Sequence, residues 1–193
     1  MSLLNSILSS VVTDGLTNQI SNKTGLSQDQ TKKAIDMAMP LLMSALTKNS
    51  TTEQGASSLN SALDKHDGSV LDNLDIESLL KSEDGAKIIG HLLGKKSDVA
   101  EQAIAKETGA EKNQIADIMK IAGPILMGVL GKEKQTQGLD LSGLTNLLGE
   151  EKKAMKSDSN IQSMIFDFID QNDDGNVVDD LLNFASKMFG NQK

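Results

Sequence analysis

Residues 24–48 can be laid over residues 108–132 without a gap, and nine of the twenty-five positions are identical. Thr24, Gly25, Gln30, Ala38, Pro40, Leu42, Met43, Leu46 and Lys48 each recur 84 positions later. Ordinary residue usage gives roughly one or two such matches by chance, so a repeated structural unit is the better explanation. The echo continues outward: Ile20 pairs with Ile104, and LNSAL at 59–63 resembles LTNLL at 144–148. Whatever one copy folds into, the other is expected to match.

Each copy reads as helix. Ser27 and Gln30 form an S-x-x-Q capping box, after which Ala34, Ile35, Ala38, Leu41, Leu42, Ala45 and Leu46 recur at three- and four-residue intervals. Ile115, Ile118, Met119, Ala122, Leu126, Val129 and Leu130 keep the same rhythm in the second copy. The Thr-Gly pair before each segment reads as a helix stop, with Gly25 and Gly109 in the left-handed conformation. Pro40 and Pro124 lack an amide donor, so each long segment is either kinked or two helices meeting at proline. Further helices are expected at roughly 52–65, 75–81, 83–94 and 98–107, where Asp or Ser starts are followed by no alternating β-branched run. The fold class predicted is all-α: a tandem duplicated multi-helix array with a C-terminal helix-loop-helix tail.

Polar stretches at 132–138 (KEKQTQG) and 149–159 (GEEKKAMKSDS) carry charge without apolar spacing and read as connectors. The organisation expected is a first helical unit at 1–84, a second at 85–149, a linker at 150–158 and a tail at 159–193. The tail differs in composition, because Phe166, Phe168, Phe184 and Phe189 are the only aromatic residues in the chain.

The tail also carries the sharpest chemical pattern. Ser159 and Gln162 open a helix running to about Ile169, and DQNDDGNVVDDL follows. A second, amphipathic helix then carries Leu181, Leu182, Phe184, Ala185, Met188 and Phe189. Asp170, Asn172 and Asp174 fall at positions 1, 3 and 5 of an EF-hand-type loop, with Gly175 at 6, Asn176 at 7 and Val177 at 8. That order wraps oxygens round Ca²⁺. Position 12, where a bidentate Glu belongs, is Leu181; Asp179 or Asp180 substitutes only if the loop closes early. A site without that ligand is weak, in the range of roughly 10⁻⁴ to 10⁻³ M. The competing reading is an Asp/Asn/Gly turn whose acids cap the next helix.

Composition excludes several chemistries. The chain has no Cys, so there is no disulfide, thiol nucleophile or thiolate metal site. A net charge of −8, with all nineteen basic residues Lys, argues against nucleic acid as a partner and for an acidic surface. MSLLNSILSSVV has no Lys before Lys23, unlike the charged start of a secretory signal, so a cytoplasmic location is expected. Its apolar residues, Leu3, Leu4, Ile7, Leu8, Val11 and Val12, are expected to pack on the protein or a second copy. The longest apolar stretch, 121–131, contains Gly123, Pro124 and Gly128 and falls short of the roughly 20 residues of a membrane span.

The remaining groups give bland readings. Asp64, His66, Asp67 and Asp72 are close together in DKHDGSVLDNL, but their spacing matches no metal motif and the segment reads as a turn leading into a helix. His91, beside Ile88, Ile89, Leu92 and Leu93, reads as a hydrogen-bonded residue at the core margin. Met37, Met39, Met43, Met119 and Met127 read as core filling, the alternative being an adaptable groove.

Taken in order, TGLS-x-x-Q, AMPLLMSAL, LDKHDGSVLDNL, DGAKIIGHLLG, AGPILMGVLG and DDGNVVDDLL resemble the bacterial family known as domain of unknown function 937, related to YidB-like proteins. The resemblance implies a bacterial, mostly helical protein and carries over no catalytic residue. It also implies an Asp-rich Gly loop followed by V-x-D-D-L-L, matched by Asp174, Gly175, Val177, Asp179, Asp180, Leu181 and Leu182.

The function expected is that of a non-enzymatic interaction or assembly protein, acting on a protein partner or by self-association, with Ca²⁺ a possible ligand of the tail and no other cofactor. Two rivals stand beside it: a carrier of an apolar small molecule between the helices, and a metal-dependent hydrolase using His66, Asp64 and Asp67.

Overall fold

Thr13 opens the helix at Asp14–Thr24 by accepting a hydrogen bond from the Leu16 amide, and helices follow one another from there to Ser157. The computed structural model describes residues 13–157 together with Ser6, Ile7 and Ser9. Among these residues every regular element is a helix. In order they are α1 (Asp14–Thr24), α2 (Gln28–Asn49), α3 (Glu53–Leu63), α4 (Ser69–Asp72), α5 (Ile76–Lys81), α6 (Glu83–Leu93), a 3₁₀ turn (Gly94–Lys96), α7 (Ser97–Thr108), α8 (Lys112–Gln137) and α9 (Leu141–Ser157).

α2 and α8 are the two long helices, and the same local devices start both. α1 ends with Thr24 donating to the Ile20 carbonyl at 2.9 Å, and α7 ends with Thr108 donating to the Ile104 carbonyl at 2.8 Å. Gly25 (φ 74°) and Gly109 (φ 68°) then turn the chain through the left-handed region. The Ser27 amide donates to Gln30 Oε1 at 3.1 Å, and the Glu111 amide to Gln114 Oε1 at 2.9 Å. The two glutamines also reach across. Gln30 Nε2 donates to the carbonyls of Thr108 (3.3 Å) and Gly109 (3.1 Å), while Gln114 Nε2 donates to the Thr24 carbonyl at 3.0 Å.

Both prolines lie inside continuous helices, so neither long segment is split in two. Each leaves the carbonyl four residues earlier, that of Asp36 or Lys120, without its helical donor. At Lys120 the space beside that carbonyl is taken by Gly85 of α6. A Cβ there would lie 2.2 Å from the oxygen, so this approach requires glycine.

α8 is the central element: α2, α6 and α7 pack most extensively on it, and α3, α4 and α5 add further contacts. α2 in turn packs on α1, α6, α7 and α9. One continuous apolar core joins Ile20, Ile35, Leu42 and Leu46 to Ile104, Ile115, Ile118 and Leu130. Met39, Met43, Met119 and Met127 lie inside it, which is the core-filling role; Met37 packs at its edge. Of the N-terminal apolar stretch only Ile7 among its large side chains is described, and it is fully buried. α8 is long and apolar enough to cross a membrane by length and composition, but 72% of that apolar window is buried inside the fold.

Two expectations about connectors are corrected. Residues 132–137 are the last turns of α8, and residues 150–157 continue α9. Lys, Glu and Gln are good helix formers, and apolar spacing is not the only way to extend a helix. The tail at 159–193 lies outside the described residues.

Candidate functional site

The segment between α3 and α5 is shaped by glycine contacts with α8. Asp67 Oδ1 accepts from the Ser69 amide at 3.0 Å, closing a turn that Gly68 (φ 94°) completes. That amide holds the Asp67 carboxyl below its ordinary value. The turn lies flat on α8 because Gly128 and Gly131 have no side chains: a Cβ on Gly131 would be 1.7 Å from the His66 carbonyl oxygen, and one on Gly128 would be 2.6 Å from Val70.

This packing aims His66 at α6. Its Nδ1 lies 2.8 Å from the Ala62 carbonyl at the end of α3, and its Nε2 lies 3.0 Å from Asp84 Oδ2 in the first turn of α6. Both partners are acceptors, so each contact is made when the ring nitrogen that faces it carries a proton. His66 is mostly buried, and Asp84 is half exposed. A second clamp lies at the other end of α6. Asn49 Nδ2, from the end of α2, donates to the carbonyls of His91 (3.2 Å) and Leu92 (3.3 Å).

Between the clamps α3 and α6 frame a half-open cleft of about 710 Å³. Its floor is apolar, with Leu46, Ile88 and Met127 buried and Leu59 and Leu92 partly so. Its rim carries the hydroxyls of Ser57, Ser58 and Ser61, the amides of Asn49 and Gln54, and the cationic groups Lys65 and Lys87. His66, His91 and Asp84 complete it. Asp84 is the one carboxylate on a lining that holds both histidines and two lysines, although the chain as a whole is strongly acidic. Lys87 is also paired with Glu83 at 2.8 Å.

The sequence grouping of Asp64, His66, Asp67 and Asp72 does not converge. Asp64 pairs with Lys134, Asp67 closes its own turn, Asp72 faces Lys132 at 3.8 Å and His66 turns to Asp84. Among the described residues no three His, Asp or Glu side chains come together as metal ligands. The helix that follows is started by Asp75, which accepts from the Glu77 and Ser78 amides; Asp72 ends α4 instead. The His91 side chain is exposed on the cleft rim, and it is its backbone that is hydrogen-bonded. Asp170, Asn172, Asp174, Asn176, Asp179 and Asp180 lie outside the described residues. The His66–Asp84 pair had no signal in the sequence, because 18 residues separate the partners and only the packing of α3 beside α6 joins them.

Among curated proteins and among solved structures, none matches this chain. A bacterial family does match residues 6–133, which takes in everything from the buried Ile7 to the last turns of α8 and leaves the acidic loop at 170–181 outside the matched part. That span is well over half of the sequence, and the chain belongs to the family described as bacterial protein of unknown function (DUF937).

Proposed function

We propose that the chain is a non-enzymatic protein-interaction module whose docking face is the cleft between α3 and α6. The observation that carries this reading is the lining itself: an apolar floor edged by Lys65, Lys87, His66 and His91, with Asp84 its one carboxylate, on an acidic protein. Its complement is an acidic segment with an apolar face. The ring nitrogens of His66 support binding over catalysis, since both are engaged by Ala62 and Asp84. Nearby hydroxyls are engaged as well, with Ser61 donating to the Ser57 carbonyl and Ser58 accepting from Gln54.

The scaffold is read as two fused copies of one helical unit, on the strength of the matched devices at Thr24 and Thr108, Gly25 and Gly109, and Gln30 and Gln114. The acidic tail is read as a weak Ca²⁺-binding segment through Asp170, Asn172 and Asp174. A second reading, carriage of an apolar small molecule, is favoured by the cleft volume, which falls within the roughly 300–1,000 Å³ of small-molecule sites.

The test is capture from the source cells by wild type and by a Lys65→Glu, Lys87→Glu variant, followed by calorimetry with the purified partner. A partner whose affinity falls about tenfold or more in the variant, or about 1.4 kcal/mol, supports the docking face. Equal affinity for both proteins refutes it. Native mass spectrometry showing a retained lipid would favour the carrier.

A further inference from the structure

We propose that the cleft between α3 and α6 is the docking site of this chain's own C-terminal segment, within residues 159–193. This rests on the reading of the cleft as a protein-docking face and names its occupant in the resting protein.

The first ground is charge. Residues 159–193 contain six Asp and two Lys, a net charge of −4, which is half of the whole chain's −8. The cleft rim presents two lysines, Lys65 and Lys87, against one carboxylate, Asp84, with Lys87 also paired to Glu83 and two histidines beside them. Opposite charge on two parts of one chain favours their encounter and fixes its orientation.

The second ground is apolar content. The segment holds every aromatic residue of the protein, and Asp179 and Asp180 directly precede Leu181, Leu182 and Phe184. A segment with acids at one end and large apolar groups following suits a floor of Leu46, Ile88 and Met127 below a rim that carries Lys65 and Lys87.

The third ground is reach. α9 ends at Ser157 after packing on α2 and α3, and both of these helices contribute residues to the cleft. Even ten extended residues span about 33 Å, roughly the width of a small domain. A tethered segment has an effective concentration on the order of millimolar, so modest contacts are enough to fill the site. Docking in cis makes the tail a competitor of any partner with the same chemistry, and Ca²⁺ on its carboxylates would weaken its hold.

The experiment uses the full chain. Because the protein has no Cys, Ser186→Cys gives one attachment point for a nitroxide. The two His ring signals serve as reporters of the cleft and are assigned with His66→Gln and His91→Gln. Docking predicts loss of both ring signals with the oxidised label and their return on reduction by ascorbate. Adding Lys65→Glu and Lys87→Glu should restore them with the label still oxidised. Undiminished ring signals in the labelled protein would overturn the proposal. So would losses that persist in the charge-reversed protein, or losses seen on isotope-labelled unmodified chains mixed with spin-labelled ones, which would identify a second copy as the occupant. If the ring signals are unaffected while partner affinity still depends on Lys65 and Lys87, the docking face stands and this assignment alone falls.

Discussion

Gln30 and Gln114 each cap their own helix and at the same time hold the carbonyl end of the helix that precedes the other. Gln30 reaches Thr108 and Gly109, and Gln114 reaches Thr24. The exchange ties the starts of α2 and α8 together and makes each cap depend on the other half of the chain. Gln30→Ala and Gln114→Ala should each lower stability by about 1–2 kcal/mol, combining a lost cap with a lost long-range hydrogen bond. Urea denaturation checks this, and a cost near zero at either position would show that the crossed contacts contribute nothing.

Thr31 is fully buried in α2, and its hydroxyl has no hydrogen-bond partner. The matching position in the second segment is Ile115, also fully buried. Thr31→Val keeps the shape and removes the unsatisfied group, so it should raise stability by about 1 kcal/mol. A fall in the thermal midpoint would contradict this.

Gly131 is the point where α8 touches the His66 carbonyl. Alanine is ordinarily the better helix former by about 1 kcal/mol, but here its methyl meets backbone. Gly131→Ala should destabilise by about 1–3 kcal/mol net and shift the His66 ring resonances, since the turn that aims His66 must move. Stabilisation would mean that the turn does not rest on α8.

Glu77 accepts from Lys23 and Lys81, each at 2.6 Å, and these contacts lower its carboxyl to about 2. The folded value lies below the unfolded one, so its contribution is full above about pH 4.5 and disappears as pH falls toward 2. The stability gap between wild type and Glu77→Gln should therefore be constant from pH 5 to 7 and close between pH 4.5 and 2. Because the group is exposed, 1 M salt should shrink it. Asp36 has the opposite sign. Burial raises its carboxyl against the pull of Lys32, so acidification through its folded value should relieve strain, and Asp36→Asn should remove that relief.

Ca²⁺ titrated by calorimetry into wild type is expected to give heats with a midpoint of roughly 10⁻⁴ to 10⁻³ M. An Asp170→Ala, Asp174→Ala variant should give a flat trace. Identical traces would remove the metal from the tail.

What could be read from the sequence were the devices whose causes are local. The Ser27–Gln30 box, the left-handed Gly25 and Gly109 and the helix starts near Thr52, Ser82 and Ser97 depend on a few adjacent residues, and the observed helices begin there. Helix ends in polar sequence were less legible: Lys132 to Gln137 lack apolar spacing yet keep good helix formers, and α8 runs through them. Proline left two readings open, and the continuous helix is the one observed, because one lost hydrogen bond does not break a helix that neighbours enclose on several sides. The cleft was out of reach. Its clamps join His66 to Asp84 and Asn49 to the carbonyls of His91 and Leu92, and such pairs follow from tertiary packing, which no short window contains.

The central place of α8 has a consequence for biosynthesis. α2 leaves the ribosome with its apolar face bare, and the helix with which it shares its largest interface is complete only after Gln137 is added. At about 5–20 residues per second this leaves roughly 4–18 s of exposure. The apolar face of α2 is thus open to non-native association throughout that interval, and a ribosome pause before α8 would lengthen the hazard more than one after it.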